Sequence, residues 1–231
     1  MEIFNGNCLD DSIDLIFCDL PYGQTSCKWD CKIDLQLFWK EIMRIKKLHT
    51  PIFFTTTTKF GVDLITSAPK KCFFRYDIVW VKSAPAGFLS AKKMPMRKHE
   101  MIYVFYEKLP FYDLSSHKHK FIKHKENTAE ESKTDTYGKV ERCSNGQQGK
   151  YDPPLPNSML EIKSTRGKHS TEKPVALMEW ILKYYSKEGD VVLDPTMGSG
   201  STGMACKNMN RKFIGIEKDK YIFDGAVKRL E

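Results

Sequence analysis

Residues 191–217 begin Val191-Val192-Leu193-Asp194-Pro195-Thr196-Met197-Gly198-Ser199-Gly200-Ser201-Thr202-Gly203, pass through a helix-forming stretch, and end in Phe213-Ile214-Gly215-Ile216-Glu217. An apolar run, a glycine turn, a helix, a second apolar run and a terminal acid describe a nucleotide-binding βαβ unit. Its place in the chain decides the fold. Such a unit normally opens its sheet, yet the 231-residue chain ends soon after it. The remaining strands must come from the N-terminal part, so the expected fold is a permuted α/β sheet.

The upstream sequence offers those strands. Residues 13–19, Ile-Asp-Leu-Ile-Phe-Cys-Asp, predict a buried strand that stops at Asp19-Leu20-Pro21-Tyr22-Gly23. Leu35, Phe38, Ile42, Ile45 and Leu48 recur at helical spacing and predict a helix over 34–48. Strands are expected at 51–54, 74–82 and 100–106, with a helix over 59–67 between the first two. Alternation of this kind predicts a mostly parallel, doubly wound sheet with helices on both faces. From Glu107 to Lys168 apolar residues thin out, which predicts an inserted polar segment with little core of its own. Helical order returns at Pro174, expected at the first helical position. Gly189 is expected to end that helix. No internal repeat is visible.

Bulk composition narrows the class. A 41% hydrophobic content suffices for one core, and the charge of +8 favours a polyanionic partner. The start, Met1-Glu2-Ile3-Phe4-Asn5, lacks a basic leader and no apolar run is long enough to span a bilayer, so a cytoplasmic protein is expected. Seven scattered cysteines fit reduced thiols better than a disulfide framework. Cys27-x-x-x-Cys31 and His117-x-His119 lack partner pairs at finger spacing, so no metal site is expected. Basic residues gather at Lys82, Lys92, Lys93, Arg97 and Lys98, and again over 117–125. Alone, either run would be an ordinary solvated face. Two runs interleaved with aromatics beside a nucleotide-type loop point to nucleic acid.

Two motifs carry the chemistry. Gly198-Ser199-Gly200-Ser201-Thr202-Gly203 matches G-x-G-x-x-G, and Glu217 stands where an acid can bind ribose hydroxyls. Asp194, just before the turn, would repel a pyrophosphate but suits a cationic ligand, which favours S-adenosylmethionine over NAD. Asp19-Leu20-Pro21-Tyr22 ends a predicted strand, where open α/β sheets place ligands. Asp19 and a backbone carbonyl near Pro21 could accept the two hydrogens of an exocyclic amine, and Tyr22 could stack on an extruded base.

Together, Asp19-Leu20-Pro21-Tyr22 and Asp194-Pro195-Thr196-Met197-Gly198-Ser199-Gly200 resemble the catalytic and cofactor motifs of the β-class DNA amino-methyltransferases. Trp80-Val81-Lys82, His99-Glu100-Met101-Ile102-Tyr103-Val104-Phe105 and His169-Ser170-Thr171-Glu172-Lys173-Pro174 are similar to further segments of that family. The likeness spans nearly the whole chain except the polar segment, where the family carries its variable target-recognition region. It implies a single catalytic domain of permuted Rossmann-like methyltransferase fold over 1–231, with target recognition at about 107–168. Three positions depart from the family pattern: Leu20 where Pro is usual, Met197 where Phe is usual, and Asn7 where Asp is common.

The resemblance also implies roles. Asp19, Pro21 and Tyr22 would hold and activate the target amine. Asp194, Met197, Gly198, Gly200 and Glu217 would bind S-adenosylmethionine, with Asp19 touching it and Lys173 and Pro174 closing over it. Lys92, Lys93 and Arg97 are candidate DNA-phosphate contacts on charge alone. Adenine N6 is the expected target because Asp19 heads its motif, where Ser is more usual for cytosine N4. Cytosine C5 chemistry needs a nucleophilic cysteine, typically after Pro, and no Pro-Cys dipeptide occurs. Double-stranded DNA is the expected substrate, a homodimer and a restriction endonuclease the conceivable partners. An NAD(P) oxidoreductase would explain the glycine loop and Glu217 but not the Asp19 motif, the basic surface or the permuted order. A decayed, purely DNA-binding fold is opposed by intact Asp19, Tyr22, Asp194 and Gly200.

Overall fold

The computed structural model describes residues 8–23, 30–31, 33–124, 133–134, 138–139, 147–165 and 172–231. Asn7, Cys27, Lys125 and the 169–171 segment, all singled out above, lie outside the described residues. The chain forms two compact units, Met1–Asp113 with Ser158–Glu231, and Leu114–Asn157.

In chain order the first unit contains β1 (Leu15–Cys18), α1 (Leu35–Ile45), β2 (Ile52–Thr56), α2 (Thr58–Ser67), β3 (Phe73–Ala86) and β4 (Arg97–Tyr106). The second unit supplies β5 (Lys118–His124), β6 (Lys133–Thr134), β7 (Gly138–Lys139) and β8 (Gln147–Asp152). The first unit resumes with β9 (Met159–Glu161), α3 (Val175–Tyr185), β10 (Val191–Asp194), α4 (Ser201–Asn208), β11 (Lys212–Gly215) and α5 (Lys220–Leu230). Its 7-stranded sheet has the order β11-β10-β1-β2-β4-β3-β9. The strands β11, β10, β1 and β2 run parallel. The strand β4 is antiparallel to both its neighbours, and β9 is parallel to β3. The C-terminal βαβ unit therefore adds to strands made by the N-terminal part, as the permutation requires. The second unit is built on antiparallel pairs, β5 with β8 and β6 with β7.

The central strands are apolar almost throughout because helices cover both their faces. Successive side chains of β2 point opposite ways. Phe54 meets Trp39 and Phe38 of α1 at 5.5 and 5.9 Å between ring centroids. Phe53, on the other face, meets Tyr185 of α3 at 5.0 Å. The helix α1 starts where the Asp34 side chain accepts hydrogen bonds from the Gln36 and Leu37 amides. It ends at Ile45, short of the expected residue 48. Lys46 turns extended, forms a bridge with Ile13, and buries its ammonium 2.9 Å from Glu107. That pairing, with a partner far along the chain, outweighs the local helical pattern and leaves Leu48 exposed.

Two smaller corrections concern α3. Pro174 is its N-cap and Val175 the first helical residue. The helix closes at Tyr185 with Ser186 as C-cap, and Gly189 instead makes the left-handed turn into β10, with φ of 83°. Among the described residues no helix is long and apolar enough to cross a membrane.

Candidate active site

The strands β1 and β10 lie side by side, with Ile16 opposite Leu193. From β10 the chain crosses through α4 to β11 on one side, and from β1 through α1 to β2 on the other. The strand order reverses between them, and ligands of open α/β sheets bind in the crevice beyond the carboxyl ends at such a point. Asp19 directly follows β1 and Asp194 closes β10. The Asp19 amide donates to Thr196 Oγ1 at 2.9 Å, joining the two motifs across most of the sequence.

Asp19 stands in a charged cluster. One carboxylate oxygen accepts hydrogen bonds from the Tyr22 hydroxyl at 3.1 Å and from the Thr55 hydroxyl at the end of β2. The other accepts from the Lys173 ammonium at 2.6 Å. Glu100, on β4, lies 3.7 Å from Lys173 and 3.0 Å from Lys82, and accepts a long hydrogen bond from Tyr22. Burial pulls the Lys173 pKa down, but Asp19 and Glu100 more than compensate and hold it above that of an ordinary lysine. Burial, and then the negative charges of Asp19 and Glu100, push the Tyr22 phenol well up, so it stays a donor. Its ring packs 5.4 Å from that of Phe60, and Pro21 lies half-buried in the turn between Asp19 and Tyr22.

Asp194 sits differently. It is almost fully buried, and its oxygens accept from Thr202 Oγ1 at 2.6 Å and from the Thr196 amide at 3.0 Å. Burial pushes its carboxyl up to about 7, against the pull of those hydrogen bonds. The residue thus fastens the glycine loop to the end of β10. Gly198 and Gly200 hold φ of 52° and 81°, conformations glycine adopts without the strain other residues incur. A side chain at Gly200 would meet Ala226 and Leu230 of α5 at 3.4 and 3.6 Å. At Gly203 it would meet Leu230 and Phe213 at 2.8 Å, so this glycine lets α4 approach its neighbours. Gly198 is the open member, with nothing nearer to its missing side chain than the Thr196 carbonyl at 3.9 Å. Glu217 accepts from the Gly198 amide at 3.1 Å and from the Asp219 amide at 2.9 Å. Each of its oxygens keeps lone-pair capacity for a ligand hydroxyl. Met197 is buried beneath the loop, its amide bonded to the Ile216 carbonyl. The open side of Gly198 and the Glu217 carboxylate are the groups that fit a nucleoside-bearing cofactor.

Several contributors have no role in the sequence reading. Glu172 accepts from Arg229 at 2.7 Å and from Ser201 at 3.3 Å, and Arg229 also reaches the Ser199 carbonyl. These bonds fasten the Lys173-Pro174 segment to the glycine loop and to α5. Thr55 and Thr196 act through contacts distant in sequence, and Thr202 reaches Asp194 across the glycine loop. Lys92 and Lys93 are exposed on the β3–β4 connection, Arg97 is exposed at the start of β4, and none of them forms an ion pair with another described residue. Cys18, beside Asp19, is buried, and burial with the nearby carboxylates pushes its thiol well up, so it is no nucleophile. Among the described residues no group of His, Cys, Asp and Glu side chains is placed to hold a metal ion.

Residues 13–228 match the N6/N4 DNA methylase family. The Type II methyltransferase M2.DpnII of Streptococcus pneumoniae is 46% identical over 71 residues, 31% of this chain and 26% of that protein. M2.LlaDCHI of Lactococcus lactis subsp. cremoris, also a Type II methyltransferase, is 38% identical over 102 residues, 43% of this chain and 38% of that protein. The aligned segments thus span well under half of these relatives. The structure of M1.HpyAVI with SAM superposes with a TM-score of 0.61 at 23% identity, over 95% of this chain and 89% of that one. PvuII DNA methyltransferase (cytosine-N4-specific) gives 0.61 at 14% identity, over 97% and 82%. At such identities the likeness is one of fold.

Proposed function

The chain belongs to the N6/N4 DNA methylase family, and from that premise we propose that it methylates the exocyclic N6 amine of adenine in DNA, with S-adenosylmethionine as donor. The observation that carries this reading is the Asp19 carboxylate at the carboxyl end of β1, bonded through its own amide to Thr196 of the glycine loop. An amine acceptor and a donor-binding loop are thereby adjacent at the switch point of the sheet.

S-adenosylmethionine supplies an electrophilic methyl group on a sulfonium, and Gly198, Met197 and Glu217 would hold it, with Lys173 and Pro174 alongside. Asp19 accepts one N–H of the target amine and a backbone carbonyl near Pro21 the other. The nitrogen lone pair is then directed along the line of displacement, and orientation supplies most of the rate. Tyr22 offers a ring for the extruded base, while its hydroxyl and that of Thr55 steady Asp19. Lys173 must share Asp19 with the incoming amine, and Glu100 stands ready as its second carboxylate. Adenine is favoured over cytosine because an acid heads the motif. The region from 107 to 168 is the proposed reader of the target sequence, through base-edge contacts. The Type II relatives support a place in restriction–modification, in which a homodimer and a cognate endonuclease are the proposed associations.

The test is methyl transfer. The purified chain is incubated with plasmid DNA and donor carrying a tritiated methyl group, and the DNA is digested to nucleosides. Label in N6-methyladenine is expected, and label in N4-methylcytosine would reassign the base. Stabilisation of the chain by NADH and not by S-adenosylhomocysteine, with unlabelled DNA, would overturn the reading.

A further inference from the structure

The strands β3 and β4 carry Lys82 and Glu100 of the charged cluster and then continue past it. Their pairing runs through Val81 opposite His99, breaks register, and resumes at Ala86 opposite Arg97. Residues 87–96 form the connection, opening with a left-handed Gly87 and a short 3₁₀ turn over Phe88–Ser90. At a strand rise of about 3.3 Å per residue, its base lies roughly 15 Å beyond the Lys82–Glu100 pair.

Two properties coincide at this tip. It exposes large apolar side chains, Phe88 at 76% and Leu89 at 86%, with Met94 and Met96 beside them. It is also wholly cationic. Lys92, Lys93, Arg97 and Lys98 are exposed, and no acidic residue occurs between Asp77 and Glu100. Exposed phenylalanine and leucine cost free energy in water unless a partner covers them. Apolar wedges flanked by lysine and arginine are how proteins unstack a base step while gripping the phosphates on either side. Duplex DNA satisfies both features at once, with phosphates for the cations and a base step for the apolar side chains.

Resting on the methyltransferase reading, we propose that Phe88 and Leu89 are a wedge that enters duplex DNA beside the target base, occupies the stacking space that base vacates, and is clamped by Lys92 and Lys93 on the phosphates. The wedge lowers the cost of extrusion, so it matters for duplex DNA and is dispensable where the base is already unpaired.

The full chain is compared with Phe88→Ala/Leu89→Ala and with Lys92→Ala/Lys93→Ala, all surface changes. Nicked plasmid is sealed by ligase under saturating protein, and the topoisomers are resolved. The wild type should shift the distribution, and the apolar double variant should leave it unshifted while still binding DNA. The lysine double variant should bind more weakly, with a salt slope shallower by about two. In methyl transfer, the apolar variant should lose at least tenfold on duplex plasmid and less than threefold on the same DNA strand-separated. Equal topoisomer shifts for wild type and apolar variant, equal losses on both substrates, or a change in oligomeric mass as the only effect would each overturn the wedge. Absence of transfer by the wild type itself would strike the enzymatic reading instead, and the topoisomer result would still judge the wedge.

Discussion

Two aspartates at the ends of neighbouring strands of one sheet sit in opposite surroundings. Asp19 is 26% exposed and its oxygens are shared among a phenol, a threonine and an ammonium. Asp194 is 3% exposed and its oxygens are taken by the loop it anchors. Residue type and a setting at the carboxyl end of a strand are shared, so neither distinguishes them. Their neighbours do. A carboxylate whose lysine partner has Glu100 as a second carboxylate within reach can exchange that lysine for another donor. A carboxylate enclosed by threonines can only hold its loop in shape.

The sharpest way to break this contrast is Asp19→Ala. Loss of a preorganised group aimed at the reacting amine costs about 10²–10³-fold in turnover, and here at least that much is expected, measured as methyl transfer to plasmid DNA. Transfer within tenfold of wild type would remove Asp19 from the chemistry.

Gly200→Val probes the opposite strand end. The family resemblance places Gly200 at the donor, but a side chain there would meet Ala226 and Leu230 of α5. Forcing valine into the left-handed region costs about 1–2 kcal/mol. The donor-free protein should therefore melt lower by roughly 5 °C, in differential scanning calorimetry. An unchanged melting point with lost donor binding would restore the simpler expectation.

Asp194 makes a pH prediction. Its folded pKa is pushed up to about 7, whereas an unfolded aspartate releases its proton near pH 4. The folded state holds the proton more tightly, so the contribution is complete below about pH 4 and is lost as pH rises to about 7. The melting temperature of the donor-free protein should include a fall between pH 4 and 7 that Asp194→Asn abolishes. An identical pH profile in the variant would show that the carboxyl does not titrate there. The smallest effect is expected from Arg229→Ala, which loosens a partly exposed ion pair worth about 1 kcal/mol. Donor affinity should drop about fivefold with turnover at saturation unchanged.

Much of this architecture is legible in the chain itself. Leu15 to Cys18 and Ile52 to Phe54 read as doubly covered strands because every residue is apolar, and the late glycine loop dictates the permutation. The antiparallel setting of β4 is not legible, since apolar pattern carries no strand direction. The early end of α1 depends on Lys46 meeting Glu107, a contact that no local window contains. At the site, Asp19, Tyr22 and Lys173 belong to readable motifs, and the structure joins them. Glu172 stands beside Lys173 in its motif but its role is not legible there, and Arg229 and Thr55 carry no such signature. Their importance comes from chain segments that meet only after folding, as when Arg229 of the last helix reaches Ser199 of the loop.

The division of labour between the two strand ends is tested most directly by titrating S-adenosylhomocysteine into Asp19→Ala in a calorimeter. With the glycine loop holding the donor and Asp19 acting on the target amine, affinity should stay within about fivefold of wild type, a difference near 1 kcal/mol. A loss of a hundredfold or more would contradict the account, because it would make Asp19 a part of the donor site rather than the group that receives the base.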